Sequence, residues 1–241
     1  MSYVAVIPSI FQPYTDQCVA SCKLDNMIVV DNTVNNLGIA GGWNVGVREM
    51  YARDADWTII ISAAVRFGEP GGLDLVEVLE ANPDALAVEA GDYDRSSTVY
   101  SAPPTRWDAD GNPVEGFGWH LLAIHRRTFD AVGLFDENFW PGYMEDTDFN
   151  CRLRLFYGNS FDWSNAPYWV KAPVDGTVAY IGHGSDLANV NVNDQIVYYV
   201  QKWGGPPLAE AWQHPFNDPA NSVRFWPQPA PRDLTRYRRG Q

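Results

Sequence analysis

The run Trp57–Ile61, WTIII, carries no charged residue and is bounded by Asp56 and Ser62. Such a run reads as a strand buried on both faces, the habit of parallel sheets covered by helices. The surrounding sequence supplies the alternation that a sheet of this kind needs. Residues 3–8 and 27–30 are short β-rich runs, the second ending on Asp31-Asn32, with a helical stretch containing Val19 and Cys22 between them. Residues 42–53 place Trp43, Val47, Met50 and Tyr51 at helical spacing behind a glycine pair. Leu73–Ala81 is helical, Asn82-Pro83 breaks it, and residues 85–90 return to strand. Strands alternating with helices build βαβ units, so the expected fold is α/β with a mostly parallel, Rossmann-like sheet flanked by helices. Residues 1–92 read as its nucleotide-binding half.

The second half, residues 93–205, begins differently. Pro103-Pro104 and a DADGNP turn predict loops and a hairpin, followed by a strand over 119–124. A short strand over 178–181 ends in Gly182-His183-Gly184. Val192, Ile196, Val200 and Trp203 mark an amphipathic helix stopped by Gly204-Gly205-Pro206-Pro207. Residues 206–241, rich in Pro, Trp and Phe without periodicity, read as an irregular C-terminal extension wrapped over a single domain of residues 1–205. A chain of 241 residues suffices for one such domain.

Composition narrows the function classes. With 46% hydrophobic and 20% charged residues the chain belongs with folded proteins. The net charge of −13 argues against a protein that tracks nucleic-acid phosphates. No apolar stretch approaches the roughly 20 residues of a membrane span, and the first residues lack a signal-peptide pattern, so the expected location is cytoplasmic. Cys18, Cys22 and Cys151 lack metal-ligand spacing, and Cys18 and Cys22 share one helical face as core residues do. Three lysines stand against 14 arginines, a bias that hints at a GC-rich bacterial or phage genome.

The chemistry concentrates in residues 133–157, GLFDENFWPGYMEDTDFNCRLRLFY. Glu145, Asp146 and Asp148 open a helix whose Phe149, Leu153 and Phe156 face a core, with Arg152 and Arg154 pointing elsewhere. A carboxylate in the first turn feels the positive end of the helix dipole, which favours the ionised form a general base needs. Asp146 fits a plain helix cap equally well. Trp119, Trp140 and Tyr143 are aromatic candidates for packing against an acceptor sugar.

This segment resembles the acceptor-side signature of family 2 glycosyltransferases of GT-A fold, through Gly133, Phe135, Asp136, Glu137, Phe139, Trp140, Tyr143, Glu145, Asp146, Asp148 and Arg152. The resemblance implies inverting transfer of a sugar from a UDP-, GDP- or dTDP-sugar, with Asp146 deprotonating the acceptor hydroxyl and Glu145 shaping the site. It extends to the donor side, where Pro8 ends the first strand and Asp31-Asn32 ends the second. Asp31 would contact the base or ribose, although an Asx pair at a strand end is also an ordinary turn. Asn36, Gly38, Gly41 and Asn44 resemble the family's glycine-containing element. Glycines there would let backbone approach the donor, and the following helix would offer it free N–H groups.

One departure matters. Where the family places D-x-D for a divalent metal, this chain has Ser62-Ala63-Ala64, none of which ligates a hard cation well. Asp92-Tyr93-Asp94 follows a different strand, and Asp108-Ala109-Asp110 sits in the turn. The charge of a departing diphosphate would then fall to cationic side chains, Arg66 and His183 first, with Arg95 and Lys171 behind them. The acceptor, a protein surface or a glycan, is not legible. A second reading is a GT-A scaffold that binds carbohydrate or nucleotide without catalysis, for which the Ser-Ala-Ala replacement speaks and the intact Glu-Asp pair does not. A pyrophosphorylase or dehydrogenase is a weaker third, since the glycine element is misplaced for either.

Overall fold

The computed structural model describes residues 1–9, 12–91, 106–107, 113–114, 120–158, 169–173, 178–179 and 192–224. In chain order these form β1 (Tyr3–Ser9), α1 (Gln12–Ser21), β2 (Met27–Asp31), α2 (Gly38–Ala52), β3 (Trp57–Ile61), β4 (Val65–Arg66), α3 (Leu73–Ala81) and β5 (Ala87–Gly91). There follow β6 (Arg106–Trp107), β7 (Pro113–Val114), β8 (Leu121–His125), α4 (Arg126–Val132), α5 (Glu145–Tyr157), β9 (Trp169–Pro173), β10 (Val178–Ala179) and α6 (Asn193–Trp203). A six-stranded sheet runs in the order β2-β1-β3-β8-β5-β9. All its pairings are parallel except those of β8, which is antiparallel to both neighbours. The direction of β8 is absent from its sequence, because LLAIH is as apolar as a parallel strand would be. β6 and β7 form the expected hairpin.

Period-two alternation sends neighbouring residues to opposite faces of the sheet. Val4, Val6, Ile60, Leu122 and Ile124 pack under α2, α4 and α5. Ala5, Ile7, Ile59, Ile61, Leu121 and Ala123 pack under α1 and α3. Two glycines let α2 lie close on β1. A Cβ on Gly46 would stand 2.5 Å from Val6, and one on Gly42 would stand 2.7 Å from Pro8. The first core is closed by Phe135 stacked on Phe149, ring centroids 4.6 Å apart.

Two helices bury polar residues that their apolar pattern does not predict. In α5, Phe149 and Leu153 are in the core, but Phe156 is 52% exposed and Arg152 is fully buried. Arg152 donates from Nε to Asp148 Oδ2 at 2.9 Å and from Nη1 to the carbonyls of Val132 and Leu134. In α6 the buried side chains are Gln195, Tyr199, Lys202 and Trp203, while Ile196 and Val200 are exposed and Val192 is the N-cap. Lys202 inverts the pattern. Its ammonium bridges Asp136 Oδ2 at 2.7 Å and Asp148 Oδ1 at 2.8 Å, all three side chains without solvent contact.

Beyond Gly204 the chain turns back on α6, where Ala211 and Trp212 donate to the Trp203 carbonyl. Glu210 accepts from Arg154 Nη2 at 2.6 Å and from the Tyr199 hydroxyl. Among the described residues no helix is long and apolar enough to cross a membrane.

Candidate active site

Because β1, β2 and β3 are parallel, their carboxyl ends share one edge of the sheet. Ser9 lies opposite Asp31, and Ser62 follows β3. The antiparallel β8 begins at that edge, with Leu121 paired to Ile61 and the His120 carbonyl accepting from Ser62 N–H at 2.7 Å. Ligands of open α/β sheets bind at this edge.

Asp31 is exposed there, and its Oδ1 accepts from Thr33 N–H at 2.8 Å and from the Thr33 hydroxyl. These bonds hold its carboxyl below the usual range. Asn32 is buried and staples the following loop, donating to the Gly38 carbonyl and accepting from Leu37 N–H. Asn36 Oδ1 accepts from Gly38 N–H at 2.8 Å. Gly38 has φ +75, and a Cβ there would stand 2.7 Å from Trp140 Cδ1. A Cβ on the buried Gly41 would meet Leu37 Cβ at 2.9 Å.

This loop is sewn to the acidic segment. Trp140 Nε1 donates to the Asn36 carbonyl at 3.0 Å, and Ile39 N–H donates to the Pro141 carbonyl at 2.9 Å. Asn44, buried in α2, makes a two-way clamp with Phe135, accepting from its N–H at 3.0 Å and donating to its carbonyl at 2.9 Å. It also donates to Glu137 Oε1, which receives Arg48 as well. The glycine element and Asn44 thus act on the protein's own backbone. The clamp was invisible in the sequence because its partner lies 91 residues away.

The acidic helix opens on strained backbone. Tyr143 and Met144 are consecutive non-glycine residues in the left-handed region, at φ 74 and 72. Such conformations persist only where surroundings hold them, and they gather at functional sites. Met144 is the N-cap and makes no side-chain cap, so Asp146 is the second helical residue rather than the capping group. Asp146 Oδ1 accepts from Thr147 N–H at 2.6 Å and from the Thr147 hydroxyl at 3.2 Å. Part of Asp146 reaches solvent, yet the packing around it raises its pKa, more than the Thr147 bonds lower it. The dipole argument for a depressed value is therefore outweighed. Glu145 is buried, its Oε2 without a hydrogen-bond partner, and burial followed by the Asp146 charge pushes its pKa well up. Tyr143 is 41% exposed, and Trp140 half-buried.

Behind the helix, burial alone would raise Asp136, but the Lys202 ammonium leaves its carboxyl below the usual range. Trp203 Nε1 and Tyr198 Oη add bonds to Asp148 and Asp136. This network was missed, since nothing local to Lys202 marks it as buried. His120 was missed too, although burial lowers its imidazole to about 4.

Ser62, Ala63 and Ala64 form a half-buried turn into β4. Ala64 N–H donates to Ser62 Oγ at 3.2 Å. Arg66 folds back over the turn, its Nη1 donating to the carbonyls of Ala63 at 2.9 Å and Val65 at 2.7 Å, and its Nε to Gln17 Oε1 at 3.0 Å. These groups do not fit a divalent cation: carboxylates are lacking, and a guanidinium engages the carbonyls. His183, Trp119, Asp92, Asp94, Arg95, Asp108 and Asp110 lie outside the described residues, and Lys171 lies in β9.

No protein-family model matches the sequence, and neither does any curated protein. Solved structures do. S. aureus TarS residues 1–349 in complex with UDP-GlcNAc aligns over 84% of this chain and 65% of its own, at 12% identity and a TM-score of 0.53. This is the GT-A fold. The mannosyltransferase PcManGT from Pyrobaculum calidifontis, in complex with GDP-Man and Mn2+, aligns over 75% of this chain and 57% of its own (14% identity, TM-score 0.47). A glycosyltransferase involved in glycosylation of the PBCV-1 major capsid aligns over 76% and 96% (8% identity, TM-score 0.40). The chain spans less than two thirds of the length of the first two.

Proposed function

We propose that this protein is an inverting glycosyltransferase that moves a sugar from a nucleotide-sugar donor to an acceptor hydroxyl. The observation that carries the reading is the Glu145-Asp146 pair, set at the start of α5 and tied through residues 140–141 to the loop after β2. Asp146 takes the proton of the acceptor hydroxyl while that oxygen attacks the anomeric carbon. The bond from that carbon to the phosphate oxygen breaks on the opposite face, and the nucleoside diphosphate leaves with the electron pair. A carboxylate with a raised pKa is a stronger base, provided the pH keeps it ionised. Tyr143 and Trp140 would offer rings to the acceptor, and Asp31, exposed at the end of β2, is the candidate contact for the nucleoside. TarS was solved with UDP-GlcNAc, so UDP-sugars head the donor panel.

The test is Asp146→Asn, which keeps the shape and removes the base. Transfer is expected to fall about 10²–10⁴-fold, with nucleotide binding retained. Near-normal rates would refute the role.

A second reading is a carbohydrate- or nucleotide-binding module without turnover, favoured by the Ser62-Ala63-Ala64 turn. Release of free nucleoside diphosphate from a panel of nucleotide sugars separates the two.

A further inference from the structure

We infer that the turn at the carboxyl end of β3 binds the diphosphate of a nucleotide through the Arg66 guanidinium, with no divalent cation between them. The inference rests on the nucleotide-donor reading above and names what offsets the phosphate charge.

A hard dication needs several oxygen ligands, carboxylates above all. The side chains of this turn supply one, the Ser62 hydroxyl, which already accepts from Ala64 N–H. The nearby carbonyls of Ala63 and Val65 accept from Arg66. An arriving cation would meet a fixed positive charge bonded to the oxygens it requires.

The same arrangement suits an anion. A guanidinium is a permanent planar cation matched to phosphate oxygens. Here it is held before any ligand arrives, by two carbonyls of its own turn and by Gln17 from α1. The Tyr14 ring lies 5.7 Å from its central carbon. β4, which carries it, is pinned to β10, with Arg66 opposite Val178. An arginine restrained in this way loses little further freedom on binding. The location is also right. β2 and β3 flank β1, so their ends lie about 10 Å apart, the scale of a nucleoside diphosphate reaching from Asp31 to the turn.

The experiment is calorimetric titration of the protein with UDP, GDP and dTDP, in excess EDTA and again with Mn2+, on the natural sequence, Arg66→Gln and Arg66→Lys. The matching free nucleoside serves as control. The expected result is EDTA-insensitive binding of one diphosphate, at least ~10-fold tighter than its nucleoside. Arg66→Gln should weaken it about 10- to 100-fold, the loss of a charge-assisted hydrogen bond, with Arg66→Lys in between. The EDTA and nucleoside comparisons need no variant, so they decide the metal question even if Arg66→Gln does not fold. Binding that appears only with Mn2+ overturns the inference and leaves the transferase reading standing. Metal-free binding unchanged in Arg66→Gln overturns the role of Arg66. Failure of all three nucleotides under both conditions overturns the nucleotide-donor reading, and this inference with it.

Discussion

Glu145 carries the sharpest consequence at the scale of one residue. Its folded pKa is raised above the ordinary 4.5 by burial and by the neighbouring Asp146. The folded protein therefore retains a proton that the unfolded chain releases. The contribution to stability is full below pH 4.5 and declines as pH rises through the folded value. Glu145→Gln removes that decline, so denaturant midpoints of the variant should gain on the natural protein progressively above pH 4.5. Parallel curves would mean that Glu145 ionises freely. In the proposed transfer Asp146 follows the same sign, since as the base it would have to lose its proton to act. The acid limb of kcat/KM should fall above 3.8, the ordinary aspartate value. A limb at or below that value would place the base elsewhere.

Among the elements, α5 and α6 are joined by charge as well as by the apolar cluster of Phe139, Cys151, Tyr199 and Trp203. Arg152, Asp148, Lys202 and Asp136 form one continuous buried ion-pair chain. Burying such groups gains little over a well-packed apolar core, but removing one member strands the others. Lys202→Met leaves two carboxylates without their shared cation. The expected loss is about 3–5 kcal/mol, or a melting temperature lower by on the order of 10 °C. A loss under about 1 kcal/mol would show that the carboxylates had found other partners. The unpredicted burial of Arg152 in α5 and of Gln195 and Lys202 in α6 has the same origin. A periodicity count places lysine, arginine and glutamine outside, and their burial depends on Asp148 of α5, on Asp136, and on the carbonyls of Val132, Leu134 and Trp140. That is why Arg152, Ile196 and Val200 were misjudged while Phe149, Leu153, Trp203 and the bounds of α3 were legible.

For the whole molecule, the layered α/β plan was readable because β1 and β3 carry no charged residue and the helices between strands carry their own spacing. The reversal of β8 was not, since strand direction is set by pairing and leaves no mark on LLAIH. Of the candidate site, the acidic pair and the odd Ser-Ala-Ala turn stood out in the sequence. The Asn44 clamp on Phe135 did not, because it exists only when two remote segments meet. Lys202 also orders events in time. Until synthesis has passed that lysine, Asp136 and Asp148 have no ammonium to separate them, and two negative charges resist enclosure together. The framework behind the Glu145-Asp146 pair should therefore set late, when α6 docks against it.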